Sequence, residues 1–310
     1  MNRPVLPSWR DTGSRAALLR FVEEVTTPGE HFLEPSDRVA VFDNDGTLWP
    51  ERPVPVQLHY LAERWRQMAG DDPALADREP YASALSGDPS WIASVLEDHY
   101  AGDDTRLPAL AEAVIATQRG MDTDTVAAAV REFFRTARHP VLRRPYPACA
   151  YRPMVELLAF LRERGFTTVI VSGGGRDFMR VISSEVYGVP PELVIGSTPD
   201  ARWSASRQAV VYGDGIRVLD DGPEKPVRIW SRLGRRPVLA CGNSDGDIEM
   251  LSYAAAAPRG LAVLVHHDDG TRDAPAYDTG ARRALAEAAR QSWLTVSVKD
   301  DWACLRPDAS

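Results

Sequence analysis

The chain has 310 residues, of which 44% are apolar and 26% charged, and its net charge at pH 7 is −8. That length and balance suit one large or two ordinary globular domains and exclude disordered and collagen-like chains, and the acidic surplus offers no basic field for a nucleic-acid backbone. Three cysteines, an odd and sparse set, do not make a disulfide framework and suit a reducing compartment.

No run approaches the roughly 20 apolar residues that span a bilayer. The opening MNRPVLPSWRDTGSRAALLRF carries arginines and an Asp where a signal peptide needs an apolar block. The expectation is a cytoplasmic protein that engages neither membrane nor nucleic acid; the oligomeric state stays open. Of 36 Lys and Arg, only Lys225 and Lys299 are lysines, which makes each conspicuous.

Residues 14–26 place apolar side chains at helical spacing, with Ser14 as the expected N-cap. RVAVF (38–42) is a short buried strand that stops at a polar loop. Residues 50–146 change texture. Helical patterns at 56–69, 89–101, 107–120 and 123–139 follow one another with no strand between them. The proline-rich RRPYPACAYRP (143–153) brings the chain back. Helix 154–165, strand 167–172 and helix 176–188 then alternate, followed by strands 194–197 and 208–213, with VYGDG as a hairpin-type turn. A helix at 224–233, strand 237–243, a helix from about Asp247 and strand 261–267 complete the pattern. Strands alternating with helices predict an α/β fold: a Rossmann-like, three-layer parallel sheet, with an all-helical domain inserted after the first strand.

Ligands of such sheets bind at the carboxyl ends of the strands. Three strands end in polar clusters: Asp43-Asn44-Asp45-Gly46-Thr47, Ser172-Gly173-Gly174-Gly175, and Gly242-Asn243-Ser244-Asp245-Gly246-Asp247. Brought to one edge, they make an acidic pocket with glycine-permitted backbone donors, which suits phosphoryl transfer with Mg²⁺. That ion needs few carboxylates because it keeps several waters. Ser172 and the loop N–H groups can hold phosphate oxygens. Of two carboxylates two residues apart, one serves as nucleophile and the other as general acid, then base. A lysine that neutralises both nucleophile and phosphate completes the set, and Lys225 is the only lysine in the middle of the chain.

In this order FDNDGT (42–47), VIVSGG (169–174), Lys225 and GNSDGDIEML (242–251) resemble the four motifs of the haloacid dehalogenase superfamily, on its phosphoserine-phosphatase-like side. The resemblance covers almost the whole chain. It implies a core at 1–49 and 147–310 and a helical C1-type cap at 50–146. It implies that Asp43 attacks phosphorus to form an aspartyl-phosphate and that Asp45 acts as acid and base. Asp at 45 points to a phosphatase, since the family's dehalogenases lack that acid and its transport ATPases carry Thr. It further implies that Asn44, Gly46 and Thr47 shape the loop, that Ser172, Gly173 and Gly174 hold phosphate, and that Lys225 stabilises the intermediate. Mg²⁺ would take Asp43, the Asp45 carbonyl and a side chain of the last motif.

That motif departs from the usual pattern: Asn243, an amide without charge, stands where an Asp is usual. Asp247 matches the second acid and Asp245 is an extra one, so the ligand could be any of the three, and weakened metal binding is expected. Glu51, Gln57 and His59 follow the first motif closely enough to reach over the pocket, Glu51 and Gln57 as candidate substrate contacts. Trp65, Trp91, Phe133 and Phe134 are expected to form the cap's own core, and Arg143, Arg144 and Tyr146 its hinge. His266 and His267 are expected to be solvated at a strand end, with Arg272 and Tyr277 on the pocket rim. The expected function is hydrolysis of a small phosphorylated metabolite; the rivals are transfer of the phosphoryl group to an alcohol and non-enzymatic binding of a phosphometabolite.

Overall fold

Val39–Phe42 forms β1, four residues buried throughout, and lies at the centre of a seven-stranded sheet. The other strands are β2 (Thr167–Gly175), β3 (Val194–Ser204), β4 (Ala209–Val218), β5 (Leu239–Gly242), β6 (Leu261–His266) and β7 (Leu294–Ser297), in the order β4-β3-β2-β1-β5-β6-β7. All neighbours are parallel except β3 and β4. The computed structural model describes residues 5–100, 102–272 and 275–306.

Alternate residues of the strands serve opposite faces, which creates three layers. Ala40, Phe42 and Ile170 pack in one cluster with Leu18 of α1 (Gly13–Thr26) and Leu157 of α7 (Arg152–Glu163). Val39, Val41 and Val169 pack in the other. Their partners are Ile229 of α9 (Glu224–Leu233), Leu251 of α10 (Ile248–Ala255) and Ala284 of α11 (Arg282–Gln291). The α/β class is as expected from the strand–helix alternation.

Between β1 and β2 come α2 (Val56–Asp71), α3 (Tyr81–Ser86), α4 (Ser90–Tyr100), α5 (Leu107–Ala116) and α6 (Thr123–Thr136), with no strand among the described residues. Ala101, the expected last residue of α4, lies outside the described residues. Trp65 is fully buried and donates to the Ala113 carbonyl at 2.9 Å. Phe133, Phe134 and Tyr60 pack with tilted rings against Phe178 of α8 (Arg176–Ile182), tying these helices to the one that follows β2. Backbone bonds from Gly120 to the Tyr212 carbonyl (3.0 Å) and from Tyr212 to the Met121 carbonyl (2.9 Å) dock the same segment on β4.

Several local expectations change. Helix α1 begins at Gly13 with Thr12 at the N-cap, so Ser14 lies inside the first turn. The hairpin turns at residues 205–208, with Gln208 at φ 48°, while VYGDG lies inside β4, antiparallel to β3. Helices α3 and α11 and strand β7 add elements that periodicity alone does not reveal.

Candidate active site

The order of strands reverses between β1 and β5, and the crevice above that point is where an open sheet holds its ligand. The loop after β1 is held by Asp43 N donating to the Cys241 carbonyl (2.9 Å) and by the Asn44 carbonyl, which accepts from Leu48 N at 2.8 Å. Gly46 turns that loop at φ 78°, and a Cβ there would meet Asn243 Nδ2 at 2.1 Å. Glycine is required on both counts.

Lys225, 2% exposed, sits at the centre. Its ammonium donates to Asp43 Oδ1 at 2.9 Å and to Asp247 Oδ1 at 2.6 Å. Burial pulls the lysine pKa down, but Asp247 and Asp43 outweigh it and hold the ammonium charged, well above its ordinary range. Burial and Asp247 push Asp43 upward against Lys225. The other oxygen of Asp247 accepts from Asn243 N, Ser244 N and Ser244 Oγ, each at 3.0 Å. Both oxygens of Asp247 are thus committed to Lys225 and to the loop it caps.

Ser172 is buried at the end of the apolar part of β2, and its Oγ accepts from Gly174 N at 3.2 Å. Asp45 faces this loop: a Cβ on Gly174 would lie 3.6 Å from Asp45 Oδ2. Trp49 Nε1 donates to Asp45 Oδ1 at 2.8 Å. Burial nonetheless pushes the Asp45 carboxyl up to about 6, a value suited to a group that gives and takes a proton near neutrality. Gln57 reaches in from α2 and accepts from Gly175 N at 2.6 Å. Asn243 Oδ1 accepts from Thr47 Oγ1 at 3.1 Å and its Nδ2 donates to Glu51 Oε1 at 3.1 Å. Asp43, Asn44, Asp45, Gly46, Thr47, Glu51, Gln57, Ser172, Gly173, Gly174, Lys225, Asn243 and Asp247 therefore occupy one end of the sheet.

Asp245 turns elsewhere. Its Oδ1 accepts from Ala284 N at 2.8 Å, in the first turn of α11. His59 is drawn to the Tyr146 hydroxyl. His267 is buried, not solvated: its Nε2 donates to the Gly46 carbonyl at 2.7 Å and its ring stacks on Tyr277 at 4.9 Å. His266 pairs with Asp278 at 2.9 Å, on the strand's opposite face. Arg272 leaves the rim to bond the Trp302 and Val298 carbonyls. Sequence reasoning passed over Tyr187, whose buried hydroxyl has no hydrogen-bond partner among the described residues and sits in the field of Asp45 and Asp43. It also passed over Asp220, buried beside Lys225.

Among the described residues no three His, Cys, Asp or Glu side chains form a ready metal nest. Oxygen donors at this edge include Asp43 Oδ2, which has no hydrogen bond among the described residues, the Asp45 carbonyl and the Asn243 amide oxygen. Hard oxygen donors with few carboxylates fit Mg²⁺, which retains much of its water.

Residues 40–252 match the model of the haloacid dehalogenase-like hydrolases. That is more than half of the chain, and the protein belongs to this family. Two solved structures are similar in fold. One, a protein of unknown function from Bordetella pertussis Tohama I, is 16% identical with a TM-score of 0.54, over 84% of this chain and 97% of that one. The other, a conserved functionally unknown protein from Anaerococcus prevotii DSM 20548, is 14% identical with a TM-score of 0.58, over 99% and 100%. No curated protein matches.

Proposed function

We propose that the protein is a Mg²⁺-dependent phosphatase of a small phosphomonoester, working through an aspartyl-phosphate on Asp43. The observation that carries this reading is the buried Lys225 ammonium shared by Asp43 and Asp247, with Asp45 facing the Ser172 loop.

Ser172 Oγ and the N–H groups of the glycine loop bind the phosphate oxygens. An Asp43 oxygen attacks phosphorus as the bond to the leaving oxygen breaks, and protonated Asp45 gives that oxygen its proton. Asp45, now ionised, takes a proton from water. The water oxygen attacks phosphorus, phosphate leaves and Asp43 is restored. Lys225 offsets the charge of Asp43 and of the phosphoryl group throughout. Asp247 acts through Lys225. Asp43, the Asp45 carbonyl and Asn243 would hold Mg²⁺, which when bound supplies further positive charge against the phosphate. Residues 50–146 serve as the cap over a core of 1–49 and 147–310. Gln57, which accepts from Gly175 N, lies beside the glycine loop, where it would contact the bound substrate.

The test is phosphate release from p-nitrophenyl phosphate, with and without Mg²⁺, by wild type and Asp43→Asn. Turnover that needs Mg²⁺ and disappears in the variant is expected. Equal turnover by Asp43→Asn overturns the covalent route. Wild-type protein that releases no phosphate from a panel of phosphomonoesters overturns the assignment.

A further inference from the structure

The neutral Asn243 leaves the last motif one negative charge short, and the structure places a carboxylate directly behind it. Glu51 Oε1 accepts from Asn243 Nδ2 at 3.1 Å and from the Tyr277 hydroxyl at 2.6 Å. A carboxylate only accepts, so the edge of Asn243 that faces Glu51 must be its NH₂ and the amide oxygen must face Thr47 and the Asp43 loop. Tyr277 is itself held: its ring stacks on His267, tilted by 10°, Arg52 lies 4.5 Å over it, and burial together with Glu51 keeps its hydroxyl protonated. His267 closes the circuit on the Gly46 carbonyl.

Among the described residues Glu51 Oε2 has no hydrogen bond, both acceptances falling on Oε1, which leaves it to metal-bound water. An Asp at 243 would set two carboxylates about 3 Å apart, an arrangement in which both cannot readily ionise. Asn at 243 and Glu at 51 are therefore complementary.

We propose that Glu51 is the metal-positioning residue of this site: it fixes the Asn243 amide oxygen toward the cation and carries, one residue removed, the charge that position 243 lacks. This rests on the Mg²⁺ reading above. Outer partners of metal ligands typically contribute 10–100-fold to affinity.

The experiment is isothermal titration calorimetry with Mg²⁺ alone on wild type, Glu51→Gln, and the double variant Glu51→Gln with Asn243→Asp. Melting in EDTA serves as the fold control. Glu51→Gln keeps the acceptances from Asn243 and Tyr277 on its amide oxygen and loses the charge and the free acceptor at Oε2, so its Kd should rise about ten-fold or more while its metal-free melting stays put. The double variant transposes the charge and should recover most of the affinity. A wild-type Kd in Glu51→Gln, or no recovery in the double variant, overturns the proposal. Tyr277→Phe is the second probe should Glu51→Gln not fold, and unchanged affinity there counts against it equally. Wild type that binds no Mg²⁺ overturns the metal reading itself, a result distinct from either.

Discussion

Asp220 should make the folded protein less stable as pH rises, and Asp220→Asn should remove that penalty. The side chain is fully buried just after β4, and neither carboxyl oxygen has a hydrogen-bond partner among the described residues. Only its backbone is tied, through N–H donation to Ser197 Oγ at 3.0 Å, which in turn donates to the Gly173 carbonyl at 2.7 Å. Burial pushes the carboxyl from 3.8 up to about 7, with Lys225 opposing and Asp221 adding to the rise. Below pH 3.8 both folded and unfolded chains hold the proton and the residue is neutral to stability. Between 3.8 and about 7 the unfolded chain releases a proton that the folded chain keeps, so stability falls with pH. The gap spans roughly three pH units at about 1.4 kcal/mol each, a ceiling of about 4 kcal/mol above pH 7. Roughly two of those units lie above pH 5. Urea unfolding of wild type and Asp220→Asn at pH 5 and pH 8.5 should therefore show the variant's relative stability growing by about 3 kcal/mol. A difference that does not change with pH would refute the reasoning, because it would mean that the folded protein already holds Asp220 ionised.

In the proposed route Asp45 gives a proton to the leaving group, and burial pushes its carboxyl up to about 6. For an alkyl phosphate, kcat/KM should fall about ten-fold per pH unit above that value, and Asp45→Asn should abolish the slope and about 10²–10⁴ of the rate. A flat profile up to pH 8 in wild type removes Asp45 from that step. Gly46→Ala combines a strained φ of 78° with a Cβ set 2.1 Å from Asn243 Nδ2. It should cost at least about 1–2 kcal/mol from the backbone alone, read as a lower melting temperature, and an unchanged melting temperature would show that the loop relaxes freely.

Much of the site was legible because parallel strands end at one edge. An apolar run that stops at a polar cluster marks that edge, so Asp43, Ser172 and Asn243 could be brought together across 200 residues. Lys225 was legible because lysine is so scarce here that its presence carries information. The hairpin was misplaced because its glycines, Gly213 and Gly215, lie within β4, opposite Asp200, while the turn itself uses residues 205–208 with no glycine or proline. Turn chemistry normally announces itself through φ-permissive residues, and Gln208 takes its positive φ without that signal. Asp245 was ambiguous for a different reason. Spacing within a loop does not say which acid faces the ligand and which caps a neighbouring helix, and only the arrival of α11 decides it.

The same limit explains why Asn243 reads as a weakness in sequence and not in space. Taken alone, an amide in place of an acid is a lost charge. Its compensation lies 192 residues away at Glu51, which is in turn fixed by Tyr277, 226 residues distant, and no local pattern links them. The chemistry at 243 is defined only once its neighbour is known: an acid there requires a non-acid at 51, and an amide there makes an acid at 51 useful. Substitution at either position alone breaks the relation, whereas exchange of both keeps the charge and reverses the hydrogen bond, with the amide at 51 donating to the acid at 243. A departure from a family motif is therefore to be judged by the pair of groups that share the charge, not by the one residue that changed.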